Sequence, residues 1–267
     1  MTREAKKTRM RYRFLDTGFH SGAFNMELDE SLVRSLAEGT GSATVRVYGW
    51  SPPAISLGWN QRIDEVDVDK AKTAGIGIVR RPTGGRAILH SEELTYSVVT
   101  TASSKNILAV YSEISLALVR GLNRLGVHAS LEKSQPHFPS LYHSPSSMAC
   151  FSSSARYEIH LDGRKLVGSA QRRYAGSNGE DVVLQQGSLL LGAFHRKLVD
   201  FLKIESALDR SRLVEEMEDK TTDVSESLGR VVTFAEAAEA VKFGFEEAWG
   251  IKFESGSFES VIAGVFS

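Results

Sequence analysis

The chain has 267 residues, 42% of them apolar and 24% charged, with a formal net charge of −1. Such a composition suits a globular protein with a substantial core, built as one large domain or one domain with a small appendage. Near-neutrality removes any global electrostatic case for nucleic-acid or membrane binding, so a partner must be recognised by local patches. In chain order, Met1 to Arg13 is basic but lacks a following apolar region, which argues against a secretory signal. Tyr12 to Leu15 reads as an opening strand. Helical spacing follows from Asn25 to Val33, with Met26, Leu28, Leu32, Val33 and Leu36 on one face and Gly39 and Gly41 as stops. Ala43 to Tyr48 alternates as a strand, Trp50-Ser51-Pro52-Pro53 turns the chain, and Ala54 to Trp59 follows. Asp67 to Ala74 suggests a short helix ending at Gly75, and Ile76 to Val99 reads as a hairpin around a glycine pair. Ile107 to Leu125 carries a sustained helical period closed by Gly126. Ser134 to Ser154, rich in proline and serine, is a long loop of the kind that is functional or disordered. Ala155 to Leu161, the Asp162-Gly163 turn and Arg164 to Tyr174 form a hairpin with a type I′ signal. Val182 to Leu191 is an interior strand, and a helical pattern with Phe194, Leu198 and Phe201 follows Gly192. Thr233 with Glu236 marks a capping box ahead of a helix over Ala237 to Trp249. No apolar run reaches membrane-spanning length, and no repeat or interdomain linker stands out. The pattern is α+β, with mainly antiparallel strands and helices segregated between groups of them.

The densest local signal is Arg80-Arg81-Pro82-Thr83-Gly84-Gly85-Arg86, leading to His90 and the alternating run from Glu93 to Val99. Paired glycines free the backbone for positive φ and close ligand approach. Arginines supply forks of donors suited to phosphate. The segment reads either as an anion-handling edge of an active site or as an ordinary hairpin with solvated arginines. His90 is either a general base or a satisfied strand histidine. Gly187-Ser188, inside an apolar strand, signals a close approach or a bulge.

Cys150 is the sole thiol, so the chain has no intramolecular disulfide and fits a reducing compartment; cytoplasmic residence is the simplest expectation. A lone cysteine is often just a small buried hydrophobe. Cys150, however, ends the Pro/Ser-rich loop, where reactive groups are presented. As a nucleophile it needs a base or cation nearby, with His90, His143 and Lys165 as candidates. Lys165 follows the Asp162-Gly163 turn, where lysines are normally solvated. Its small, apolar neighbours Leu166-Val167-Gly168-Ser169-Ala170-Gln171 would instead set an ammonium beside a substrate carbonyl or phosphate. Walker, dinucleotide and serine-hydrolase signatures are missing, and histidine and carboxylate spacing does not favour a metal.

Taken together, Asn25-Met26 with Asp29-Glu30, Arg80 to Arg86 with His90, and Gly163-Arg164-Lys165-Leu166-Val167-Gly168-Ser169-Ala170-Gln171 resemble the biotin/lipoate protein ligase and octanoyltransferase superfamily, over about Tyr12 to Phe253. The resemblance implies a mixed, mainly antiparallel α+β catalytic domain like that of class II aminoacyl-tRNA synthetases and biotin protein ligases. It would occupy residues 12–267 behind a flexible tail at residues 1–11. It also implies an acyl site bordered by Arg81, Thr83, Gly84, Gly85, His90, Gly168, Ser169, Ala170 and Gln171, with Lys165 at the reacting carbonyl. Ala149-Cys150-Phe151 ahead of Tyr157-Glu158-Ile159 and Gly163-Arg164-Lys165 is most similar to the cysteine-dependent octanoyltransferases of the lipoate pathway. The chain stops soon after Phe253, whereas many lipoate ligases add an accessory domain. Gln186 departs from the histidine that this family places before Gly187-Ser188.

The implied reaction moves an octanoyl group from acyl carrier protein to Cys150 and then to the lysine of a lipoyl domain such as the glycine-cleavage H protein, with no cofactor and no metal. Alternatives are an ATP-dependent lipoate–protein ligase working through lipoyl-AMP, an amidotransferase between lipoyl domains, and a non-catalytic acyl-binding protein.

Overall fold

The computed structural model of the protein describes residues 10–102, 106–131 and 158–254. Cys150, His143, the Pro/Ser-rich loop and the expected strand start at Ala155 lie outside the described residues. So does the basic tail before Met10.

The elements run β1 (Tyr12–His20), α1 (Gly22–Ala37), β2 (Ala43–Trp50), β3 (Ala54–Leu57), α2 (Val68–Thr73), β4 (Gly77–Arg80), β5 (Ile88–His90), β6 (Glu93–Thr101) and α3 (Ile107–Leu125). After them come β7 (Ser130–Leu131), β8 (Ile159–Leu161), β9 (Arg164–Ala175), β10 (Asp181–Leu190), α4 (Ala207–Lys220), α5 (Val224–Leu228) and α6 (Phe234–Trp249). Short 3-10 turns occupy Ile63–Glu65 and Ala193–Phe201.

A seven-stranded sheet has the order β1-β2-β6-β10-β9-β8-β7, with β1 and β2 parallel and the described remainder antiparallel. Both of its faces are covered, and the strand alternation shows how. Val98 and Val183 join the cluster under α3 and α6, with Ile114, Leu118, Val241 and Phe245. Their chain neighbours Val99, Val182 and Leu184 join Leu28, Leu32 and Val33 of α1. Successive residues of a strand point to opposite faces, so α1 and the α3/α6 pair sandwich the sheet. This is why β2, whose sequence alternates, is buried at every position.

A smaller sheet has the order β4-β3-β5. The hairpin expected over Ile76 to Val99 is not formed, because β3 lies between its two arms. β4 runs parallel to β3 and β5 antiparallel to it. The glycine loop therefore crosses over the end of β3 and is not a simple turn. Ile55, Leu57, Ile88 and Leu89 pack here against Leu198, Val199, Leu213 and Met217.

Local signals act where they were expected. Thr233 and Glu236 close a reciprocal capping box on α6. Asp162 at φ 50° and Gly163 at φ 79° make the left-handed turn between β8 and β9. α3 and α6 touch backbone to backbone: a Cβ on Gly121 would lie 2.5 Å from the Ala240 carbonyl oxygen, and one on Gly244 would overlap the Ala117 carbonyl and the Gly121 amide. Gly→Ala inside a helix normally gains up to about 1 kcal/mol from propensity. Overpacking a close contact costs about 1–3 kcal/mol, and backbone atoms cannot swing aside as a side chain can. Gly244→Ala is therefore expected to lower the urea midpoint, with a net loss of about 1–2 kcal/mol. A raised midpoint would contradict the close packing.

Candidate active site

The glycine loop is built from the inside. Arg80 donates from Nη1 to the carbonyls of Gly58, Trp59 and Gln61 at 2.7–2.9 Å. Arg81 is buried, and it donates to the carbonyls of Gly84, Arg86 and Ser56 at 2.7–3.1 Å and to Ser56 Oγ at 2.9 Å. Arg86 lies 3.9 Å from Glu65. The expected choice between an anion cradle and solvated arginines thus resolves differently: Arg81 braces the loop on its own carbonyls, and Arg80 ties it to those of the neighbouring segment 58–61. Gly85, at φ +93°, brings its carbonyl so close to Gly58 that a Cβ there would collide with it.

Beneath the loop, one pocket spans the seam between the two sheets. Its lining includes Arg81, Thr83 and His90 from the loop side and Gly168, Ser169 and Ala170 from β9. Met26 of α1, Trp50 of β2, Ser56 of β3 and Gln186 to Ser188 of β10 complete much of the wall. Six of the sequence-derived site residues are thus brought together. Gly84 and Gly85 sit at the exposed loop tip, outside the lining. Gln171 also lies outside it, its Nε2 donating to Gln185 Oε1 at 3.1 Å. β10 keeps unbroken register with both neighbours, so Gly187 marks a close approach and no bulge. A Cβ there would lie 2.5 Å from the Tyr96 ring and 2.8 Å from the Gly168 carbonyl oxygen.

The polar side of the pocket is a chain of donors whose direction Arg81 sets, since a guanidinium only donates. Arg81 donates to Ser56 Oγ, Ser56 lies 2.7 Å from His90 Nε2, and His90 Nδ1 lies 2.8 Å from Glu93 Oε1. Ser188 Oγ donates to the same Glu93 oxygen at 2.9 Å, as does Thr95, which in turn accepts from Trp50 Nε1 at 2.7 Å. Trp50 stacks flat on the His90 ring, 4.0 Å between centroids and 7° between planes. Burial pushes the Glu93 pKa up. The charge and hydrogen bond of His90, with those of Thr95 and Ser188, outweigh this and hold the carboxyl below the usual range. His90, offered by the sequence as a base, has both ring nitrogens engaged within the wall.

Gln186 ties the loop to a fully buried ion pair. Its Oε1 accepts from Thr83 Oγ1 at 2.9 Å, and its Nε2 donates to Asp29 Oδ2 at 2.7 Å. Asp29 pairs with Arg46 at 2.7 Å, both side chains fully buried. It also accepts from Tyr48 at 3.1 Å and from Ser97 at 2.7 Å. Arg46 is further held by Asn25 and Thr17.

Lys165 is buried, not solvated, and its Nζ lies 2.8 Å from Glu158 Oε1; neither residue is in the pocket lining. One layer closer to the pocket, Tyr96 Oη shares a 2.6 Å hydrogen bond with Ser169 Oγ. Burial pushes the Tyr96 pKa up to about 12, with the Glu158 charge adding to the rise against hydrogen bonds from Gln185 and Ser169.

Sequence reasoning missed Glu93, Ser56, Gln186, Asp29 and Glu158 as site-builders. For Glu93 a signal existed: Glu93, Thr95 and Ser97 alternate with Leu94, Tyr96 and Val98, and polar residues on a strand buried on both faces need partners.

The family model for the lipoyl protein ligase A/B catalytic domain matches residues 21–246, which contain every pocket residue named above. The chain belongs to this family. Among curated proteins, the octanoyltransferase LipM of Geobacillus kaustophilus is 39% identical over 250 residues, 91% of this chain and 88% of its own. That of Kyrpidia tusciae is 40% identical, covering 92% and 89%. That of Bacillus subtilis is 37% identical, covering 91% and 88%. The fold matches a bipartite lipoate protein ligase from Thermoplasma acidophilum with a TM-score of 0.76 at 22% identity, over 96% of this chain and 92% of the other. A lipoate-protein ligase A solved with ATP gives 0.72 at 22%, over 96% and 94%. The α+β architecture with mixed, mainly antiparallel sheets is thus that of the lipoate ligases. Among the described residues no helix is long and apolar enough to cross a membrane, and no cluster of three metal-ligating side chains occurs.

Proposed function

We propose that this chain, an octanoyltransferase of lipoate formation, carries its acyl group on Cys150. The Cys150 thiolate attacks the octanoyl thioester of acyl carrier protein, forming a Cys150–octanoyl bond and releasing the carrier thiolate. One thioester replaces another, so the step is nearly isoenergetic and needs no ATP. The neutral amine of a lipoyl-domain lysine, such as that of the glycine-cleavage H protein, then attacks. An amide forms, the carbon–sulfur bond breaks, and the departing Cys150 thiolate takes up the proton the amine loses. Lys165 stabilises the oxyanion of each tetrahedral intermediate. The acyl chain lies between the Arg81–Thr83 segment and Gly168-Ser169-Ala170.

The observation that carries this reading is the extent of the likeness to curated octanoyltransferases, about nine-tenths of both chains, together with a lone cysteine ahead of the lysine strand. The commitment of Arg80 and Arg81 to backbone carbonyls weighs against the ATP-dependent ligase reading, which needs donors for phosphate. No cofactor enters the scheme, and the lone thiol fits the cytoplasm. The test is incubation with octanoyl carrier protein, followed by intact-mass analysis and peptide mapping. One octanoyl adduct on the Cys150 peptide, discharged by an apo lipoyl domain, is expected. No adduct, or pyrophosphate release from ATP with free lipoate, would overturn the proposal.

A further inference from the structure

Lys165 is among the largest fully buried side chains of the protein, 1% exposed, and the Glu158 carboxylate that it faces at 2.8 Å is 4% exposed. The backbone is fixed on both sides of the pair. Lys165 opposes His160 across the β8–β9 ladder, the register shifts at the next pair, and the Lys165 carbonyl accepts from Thr222 N at 3.1 Å. Leu166 and Val167 behind it are wholly buried. The next cation, Arg164, turns outward to Glu226 at 2.6 Å and does not compete. Lys165 shares β9 with the pocket-lining Gly168, and the Glu158 charge reaches Tyr96, whose hydroxyl holds the pocket-lining Ser169.

A lysine stem is long and flexible, so its head group needs a partner to hold one place. A wandering ammonium stabilises no oxyanion. We infer that Glu158 is the positioning residue for Lys165: its carboxylate, 2.8 Å away, fixes Nζ on the pocket side of β9. The inference rests on octanoyl transfer through Lys165 as read above. It assigns Glu158 no contact with substrate.

The experiment is steady-state octanoyl transfer from carrier protein to lipoyl domain by the full chain, comparing wild type with Glu158→Gln and Glu158→Asp, with melting curves alongside. Misplacing one catalytic group by about an ångström costs up to about 10²-fold. Glu158→Gln is therefore expected to lower kcat about 10- to 100-fold, with KM for the octanoyl carrier within about 2-fold of wild type. Glu158→Asp keeps the charge on a shorter stem and is expected to recover part of that loss. A Glu158→Gln enzyme with wild-type kcat overturns the inference, as does a change confined to KM or an aspartate variant no better than the glutamine one. If Glu158→Gln does not fold, Glu158→Asp decides alone: reduced kcat at unchanged KM supports positioning, and wild-type kcat overturns it. Wild-type enzyme that forms no octanoyl adduct sinks the transfer reading as well, so the two failures are distinguishable.

Discussion

Asp29→Ala is expected to lose about 3–5 kcal/mol of folding stability, the usual cost of leaving a buried charge without its partner. Asp29 and Arg46 are both at 0% side-chain exposure and 2.7 Å apart, so neither water nor a neighbour stands ready to replace the carboxylate. Tyr48, Ser97 and Gln186 would also lose the oxygen to which they donate. The remaining partners of Arg46 are neutral: Asn25, Thr17 and the face of Tyr48 at 4.0 Å. For a domain of this size such a loss lowers the melting temperature by on the order of 10 °C. Asp29→Asn, which keeps an acceptor but no charge, should lie between alanine and wild type. Differential scanning calorimetry at neutral pH reads both variants. An alanine variant within about 1 kcal/mol of wild type would show that Arg46 finds another counter-charge.

The second large effect is on chemistry. Cys150→Ser is expected to abolish the octanoyl adduct and to lower transfer by roughly 10⁴- to 10⁶-fold, the range found when a covalent nucleophile is removed. A free cysteine has a pKa of about 8.5 and is a few per cent thiolate at neutral pH, whereas a serine hydroxyl needs a strong base to ionise. Among the described residues, the one imidazole in the pocket lining, His90, is already committed to Ser56 and Glu93. An unchanged melting temperature in the same variant separates chemistry from folding. A serine variant that transfers octanoate at the wild-type rate would mean that the acyl group never rests on the protein.

The sequence was most readable where structure is local. α3, with its apolar stripe and closing Gly126, and α6, with its capping box, follow from patterns within one helix. The Asp162-Gly163 turn follows from two residues. α4 was unreadable: only Leu213 and Met217 of its residues are buried, too few to mark a face. The Ile76 to Val99 segment was misread because β3, which separates its arms, lies earlier in the chain and no local pattern announces the insertion. The site divides along the same line. Thr83, His90 and the Gly168 to Ala170 run sit in dense motifs and reach the pocket. Asp29, an ordinary helix carboxylate by sequence, becomes central through Arg46 and Gln186, partners on two distant strands. Glu158 carried no such clue, since the hairpin partner of Lys165 is His160 and the register shifts at the next pair.

The arginines around the glycine pair have a thermodynamic consequence. A glycine-rich loop left to itself samples many conformations, and a ligand that needs one of them must bear the entropy of selecting it. Here the guanidinium of Arg81 spans three carbonyls at once, so the loss of freedom is incurred when the chain folds and not when the substrate arrives. It is the planar shape of the group, more than its charge, that performs this. A lysine would preserve the charge but offer three donors from a single point, leaving the loop free to wander.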